Sequence, residues 1–132
     1  MTIVLNHTIV PVGDRARGAR FLADLLGLEV GEQAGPFAPV QINAELTFDF
    51  DDRLGARPGH YAFLVDDGTF DRVLGLAQTG DLEYGSAPRL SDGQINHLGG
   101  GRGVYIRDPD GIAYEFFTAV LQVTSSRAGA GS

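Results

Sequence analysis

The chain contains no cysteine, and all ten of its basic residues are arginine, because lysine is absent. Without cysteine there is no disulfide and no thiolate metal site, so any bound metal would rest on histidine and carboxylate. Without lysine there is no Schiff-base chemistry. No apolar run approaches a membrane span. The N-terminus lacks the basic-then-apolar pattern of a signal peptide, so the expected location is the cytoplasm and no membrane partner is expected. Positive charge is scarce, and a net charge of −7 excludes nucleic acid as an expected partner. What remains is 132 residues, 43% hydrophobic and 20% charged. That length and balance suit one soluble domain with a real core.

The pattern is organised around residues 101–118. Val104 to Ile106 is β-rich, Asp108-Pro109-Asp110-Gly111 is turn chemistry, and Ala113 to Thr118 is a second β-rich run. Glu115 stands out inside that last strand, between Tyr114 and Phe116. A carboxylate in an apolar strand needs a partner. Upstream, Thr2 to Val12 reads as a strand, with Ile3, Leu5, His7 and Ile9 on one face. Asp14 caps a helix over Arg15 to Leu26, and Gly27 ends it. Strands are expected at 28–32, at Phe37 to Ile42 and at Glu45 to Phe50. Residues 51–59 form a polar boundary loop. His60 then opens a strong strand to Val65, a helix covers Phe70 to Gln78, and Glu83-Tyr84-Gly85 reads as a short strand. Residues 86–100 form a long loop that carries His97.

The order is strand, helix, three strands, written twice. This predicts an α+β fold of two βαβββ modules, about 1–52 and 58–120, paired into a curved, barrel-like sheet around a metal-binding cleft. One domain is expected over 1–122, with a disordered tail over 123–132. Each module opens on a strand with a histidine, His7 or His60, and Glu115 lies on the closing strand of the second. On pairing of the modules the three would converge as two imidazoles and a carboxylate, leaving positions open for substrate or oxygen, the arrangement of non-haem Fe(II) sites. For His7 alone, a core histidine bonded to a neighbour is the competing reading. The polar face of Glu45, Thr47 and Asp49 is equally explained by an amphipathic edge strand.

Five stretches carry a resemblance: Leu5-Asn6-His7-Thr8, residues 23–28, residues 46–50, residues 59–65, and Tyr105 through Asp108-Pro109-Asp110-Gly111 to Glu115. Together they resemble the vicinal oxygen chelate superfamily, which includes glyoxalase I, bleomycin-resistance proteins, fosfomycin-resistance enzymes and type I extradiol dioxygenases. The resemblance implies His7, His60 and Glu115 as ligands of a divalent ion, with Fe(II) favoured over Mn, Ni or Zn. It also implies a small-molecule substrate and a homodimer. In the extradiol branch a tyrosine lies ten residues before the ligand glutamate, and Tyr105 has that spacing. A catalytic histidine lies further upstream, where His97 falls within one residue. In glyoxalase I a fourth ligand sits on the closing strand of the first module, where Asp49, or else Glu45, is the match.

The resemblance thus implies a metal-dependent enzyme acting on vicinal oxygens, with extradiol-type ring cleavage favoured. A glyoxalase-type isomerase or lyase is the second reading. The third is a non-catalytic binder of a drug or metabolite, of the bleomycin-resistance kind.

Overall fold

A computed structural model describes residues 1–120; the expected tail at 123–132 lies outside the described residues. The order is β1 (His7–Pro11), α1 (Arg15–Leu26), β2 (Phe37–Gln41), β3 (Thr47–Asp51), β4 (His60–Leu64), α2 (Asp67–Thr79), β5 (Glu83–Gly85), a short 3₁₀ turn (Leu98–Gly100), β6 (Gly103–Arg107) and β7 (Ala113–Phe117). The fold is α+β, with two βαβββ-type modules. In each module the first strand lies parallel to the last, β1 beside β3 and β4 beside β7. The sheet orders are β1-β3-β2 and β4-β7-β6-β5. Within one chain these stay two sheets rather than one closed barrel.

The helix limits follow from local chemistry. Asp14 accepts from the Arg17 N–H at 3.0 Å and starts α1. Gly27, at φ 70°, ends it in the left-handed conformation that glycine tolerates. Asp66 accepts from the Thr69 N–H at 2.8 Å and starts α2. Arg72 of α2 then donates to the Leu25 and Asp24 carbonyls at the end of α1, at 3.2 and 2.9 Å. A cation there complements the negative end of the helix dipole and ties one module to the other.

The expected strand at 28–32 is reduced to a single bridge between Val30 and Val40. Gly31 N–H donates to the Pro39 carbonyl at 2.8 Å, so Pro39 points its backbone toward this edge. Proline has no N–H to return, and the ladder stops. The opening strand is also shorter than its β-rich sequence. Residues 2–6 are exposed and join no ladder among the described residues, and pairing begins at His7.

Both sheets turn their aromatic faces to one core. Phe48 lies 5.1 Å from Tyr61 and 5.6 Å from Phe63 between ring centroids, and Phe21 stacks on Tyr114 at 6.3 Å. Phe50, Phe70, Tyr114 and Phe116 are fully buried. Truncating one of them to alanine costs about 3–5 kcal/mol. The opposite faces, carrying His7 and Ile9 on β1 and His60, Ala62 and Leu64 on β4, are turned away from that core.

The β6–β7 turn holds a buried carboxylate. Asp108 Oδ1 accepts from the Asp110 and Ile112 N–H groups, both at 2.9 Å, while Oδ2 is buried without a partner among the described residues. Burial pushes the Asp108 carboxyl above its ordinary range, assisted by the charge of Asp110 and opposed by the two backbone donors and Arg17. A raised folded-state value means that ionisation opposes folding, so the favourable contribution of the neutral acid is lost as pH rises through that value. Asp108→Asn keeps the Oδ1 acceptor and removes the charge. Thermal unfolding at pH 8 should show the variant more stable than the parent by about 1 kcal/mol. The difference should shrink toward pH 3. Equal stability of the two proteins at pH 8 refutes this assignment.

Candidate metal centre

The β4–β7 ladder brings two of the three predicted ligands together. His60 pairs with Ala113 in register, and Ala62 with Glu115. His60 and Glu115 are therefore diagonal neighbours on the open face, and their side chains meet at 2.9 Å, Nε2 to Oε1. Two donors bound about 2.1 Å from one ion at a right angle lie about 3.0 Å apart. The donor set and its spacing thus fit a divalent cation. Glu115 is mostly covered and His60 is 46% exposed at its side chain, so the imidazole forms the open side of the pair.

His7 lies on the corresponding face of the other sheet. It is exposed, so the core-histidine reading does not hold. Its Nδ1 lies 2.9 Å from Asn6 Oδ1. The Asn6 amide nitrogen faces the Glu45 carbonyl at 3.4 Å, which leaves its oxygen for the imidazole. With Nδ1 donating to that oxygen, Nε2 has no partner among the described residues. Among the described residues no group of three histidines or carboxylates in a single chain could hold a metal. His7 and the His60–Glu115 pair form two separate parts.

Asp49 lies on the His7 face. It pairs with Ile9 while His7 pairs with Thr47, which makes Asp49 a diagonal neighbour of His7. Glu45 is outside the strand, in the bend before Thr47, where its N–H is held by Asn43 Oδ1 at 2.9 Å.

Tyr105 sits opposite Glu115 on the β6–β7 ladder and packs edge-on against His60, ring centroids 5.6 Å apart. Burial pushes the phenol above its ordinary range, and the Glu115 carboxylate it faces adds to the rise. His97 is exposed and donates from Nδ1 to the Gly101 carbonyl at 3.0 Å. Its neighbours Asn96 and Leu98, rather than His97 itself, line a groove of about 300 Å³ with Ala62 and Glu115. Sequence reasoning passed over the larger cleft beside His60, about 820 Å³, whose walls include Glu83, Arg89 and Arg107. The signal was present in strand alternation, because Glu83, Arg107, Ala113 and His60 form one row across the second sheet.

In metal-free protein, absorbance titration should lose one component above the ordinary tyrosine range in Tyr105→Phe. In Glu115→Gln that component should move down toward, but not reach, the range of a free tyrosine. An unchanged titration in Glu115→Gln would contradict the contact.

No protein-family model and no curated protein matches the chain. Solved structures do. The chain is 46% identical to oxidase ChaP-H2 over 92% of its own length and 97% of that chain, with a TM-score of 0.85. It is 44% identical to oxidase ChaP-H1 over 90% and 98%, with a TM-score of 0.84. The fosfomycin resistance protein FosX from Mesorhizobium loti shares the fold at 22% identity over 92% and 96%, with a TM-score of 0.66. With this identity over nearly the full length, and with the two βαβββ-type modules common to such structures, the chain belongs to the vicinal oxygen chelate superfamily.

Proposed function

We propose that the protein is a divalent-metal-dependent, oxygen-using enzyme acting on a small substrate with vicinal oxygens, with extradiol-type ring cleavage the reaction it suits best. The observation that carries this reading is the His60–Glu115 pair with Tyr105 against it on an open sheet face. The resemblance to two proteins named as oxidases supports oxidation over isomerisation.

The metal would be held by His60 and Glu115 of one chain and by His7 of a second copy. Several features favour a homodimer. β1 and β4 are both edge strands. The β1 side presents Ile3, Leu5 and Ile9 to solvent, and the β4 side presents Leu64. Open strand edges flanked by apolar side chains are pairing surfaces. Such a pairing would place the free His7 Nε2 toward the partner's His60 and Glu115. When bound, the ion supplies Lewis acidity toward two adjacent substrate oxygens. The protein's own part is to place His60 and Glu115 rigidly on adjacent strands and to keep the Tyr105 hydroxyl as a hydrogen-bond donor beside them. His97 could reach substrate only from the loop, and it is the weaker candidate for a catalytic role. A glyoxalase-type isomerase is the second reading, favoured by Asp49 diagonal to His7 as a fourth carboxylate ligand.

Mixing variants tests the shared site. His7→Ala and His60→Ala should each fail to retain iron after anaerobic loading and desalting. Unfolded together and refolded as a mixture, they should recover about one quarter of the parental metal, because half the dimers are mixed and each has one intact site of two. No recovery, with dimers formed, would exclude sharing between chains. Retention of stoichiometric iron by His60→Ala would overturn the metal centre itself. Oxygen-electrode assays of the iron-loaded protein with a panel of catechols should show uptake, and Tyr105→Phe should lower kcat about 100-fold with little change in metal content. Turnover of a hemithioacetal without oxygen uptake would instead support the isomerase.

A further inference from the structure

The cleft of about 820 Å³ beside His60 has a floor of small residues, Gly59, Gly111 and Ala113, and a cationic far wall, Arg89 and Arg107. In a chain with net charge −7, two guanidiniums on one cleft are a local reversal of sign. Their roles differ. Arg107 is committed to structure: its guanidinium donates to the Pro88 carbonyl and to Ser91 Oγ, and Glu83 approaches at 4.0 Å. It fastens the loop to the sheet. Arg89 sits at the exposed tip of that loop, inside a turn closed by Leu90 N–H to the Ala87 carbonyl at 3.1 Å. It forms no hydrogen bond or ion pair among the described residues.

The turn that presents Arg89 is held from several directions. Asp92 accepts from the Ser86 N–H and hydroxyl and from the Gln94 N–H, at 3.0, 2.7 and 3.1 Å. Gly93 N–H donates to the Tyr84 carbonyl at 3.0 Å. The Leu90 carbonyl lies so close over Gly85 that no side chain would fit there. The braced backbone fixes where the guanidinium is presented, so binding an anion orders the Arg89 side chain but not the loop.

Resting on the reading above, we infer that Arg89 is a specificity residue that binds an anionic group of the substrate, so that the preferred substrates are rings bearing vicinal oxygens and, across the ring, a carboxylate. The row His60, Ala113, Arg107 crosses two strand spacings, about 10 Å. His60 lines this cleft while Glu115, bonded to it, lines a separate groove, and a ring chelated beside His60 and lying over the glycine and alanine floor would carry its far substituent to the arginine wall. Glu83 shares that wall, and its Oε1 is occupied by the Ser91 hydroxyl at 3.2 Å.

Calorimetric titration with 3,4-dihydroxybenzoate and its methyl ester separates this inference from the metal reading, using protein both loaded with Fe(II) under anaerobic conditions and freed of metal. The acid should bind the loaded protein about 10-fold more tightly than the ester. Arg89→Gln should abolish that preference while leaving ester affinity unchanged, and Arg89→Lys should restore part of it. Equal affinity for acid and ester in the parent protein, or an acid preference that survives Arg89→Gln, overturns the inference. If the Arg89-dependent preference appears equally with and without metal, and metal adds nothing to the affinity of either compound, the inference stands and the chelation reading fails.

Discussion

Phe48 meets Tyr61 and Phe63 across the boundary between the modules, and this contact decides which residues face outward. Strand side chains alternate, so committing Phe48, Phe50, Tyr114 and Phe116 to the shared core sends their sequence neighbours to the open faces. Thr47, Asp49, Ala113, Glu115 and Phe117 are those neighbours. The polar groups of the candidate site therefore lie on faces that the core has no use for. A one-residue slip of β7 would carry Glu115 into the aromatic interior, where its charge would be unpaired. Register is consequently enforced from the side opposite the chemistry.

The same commitment keeps His7 apart from His60 and Glu115 inside one chain. A single core between the sheets requires their inner faces to oppose each other, which directs the histidine-bearing faces outward. The Arg72 bonds to the end of α1 reinforce this arrangement. On the proposal above, a two-fold assembly would join His7 of one copy to the His60–Glu115 pair of the other and so form two whole sites.

Much of this architecture is legible in the sequence. The α1 limits follow from Asp14 and Gly27, the second hairpin from Asp108-Pro109-Asp110-Gly111, and the module repeat from the order of elements. The adjacency of His60 and Glu115 is also legible once β4 and β7 are taken as the first and last strands of one module. Two kinds of information are not. The failed strand at 28–32 depends on which edge Pro39 faces, a property of its pairing with β3 rather than of its neighbours. The setting of His97 depends on a loop whose course is determined by Asp92, Arg107 and Asn96, contacts between distant positions that carry no periodic signal.

The His7 ring is held by its neighbours although it lies at the surface. A histidine on an exposed edge strand could rotate freely and carry its proton on either nitrogen. Here Asn6 accepts from Nδ1, and Asn6 is itself oriented by the Glu45 carbonyl. The arrangement orients the ring and commits Nδ1 to the Asn6 oxygen, and it leaves Nε2 as the uncommitted ring nitrogen among the described residues. Holding an exposed ring in one orientation costs side-chain entropy and yields little stability on a surface this open. That cost would be explained by the metal-binding role proposed above. In that light Glu45, though outside the strand and remote from the His60–Glu115 pair, still bears on the proposed site: its backbone carbonyl, rather than its side chain, helps through Asn6 to orient the His7 ring.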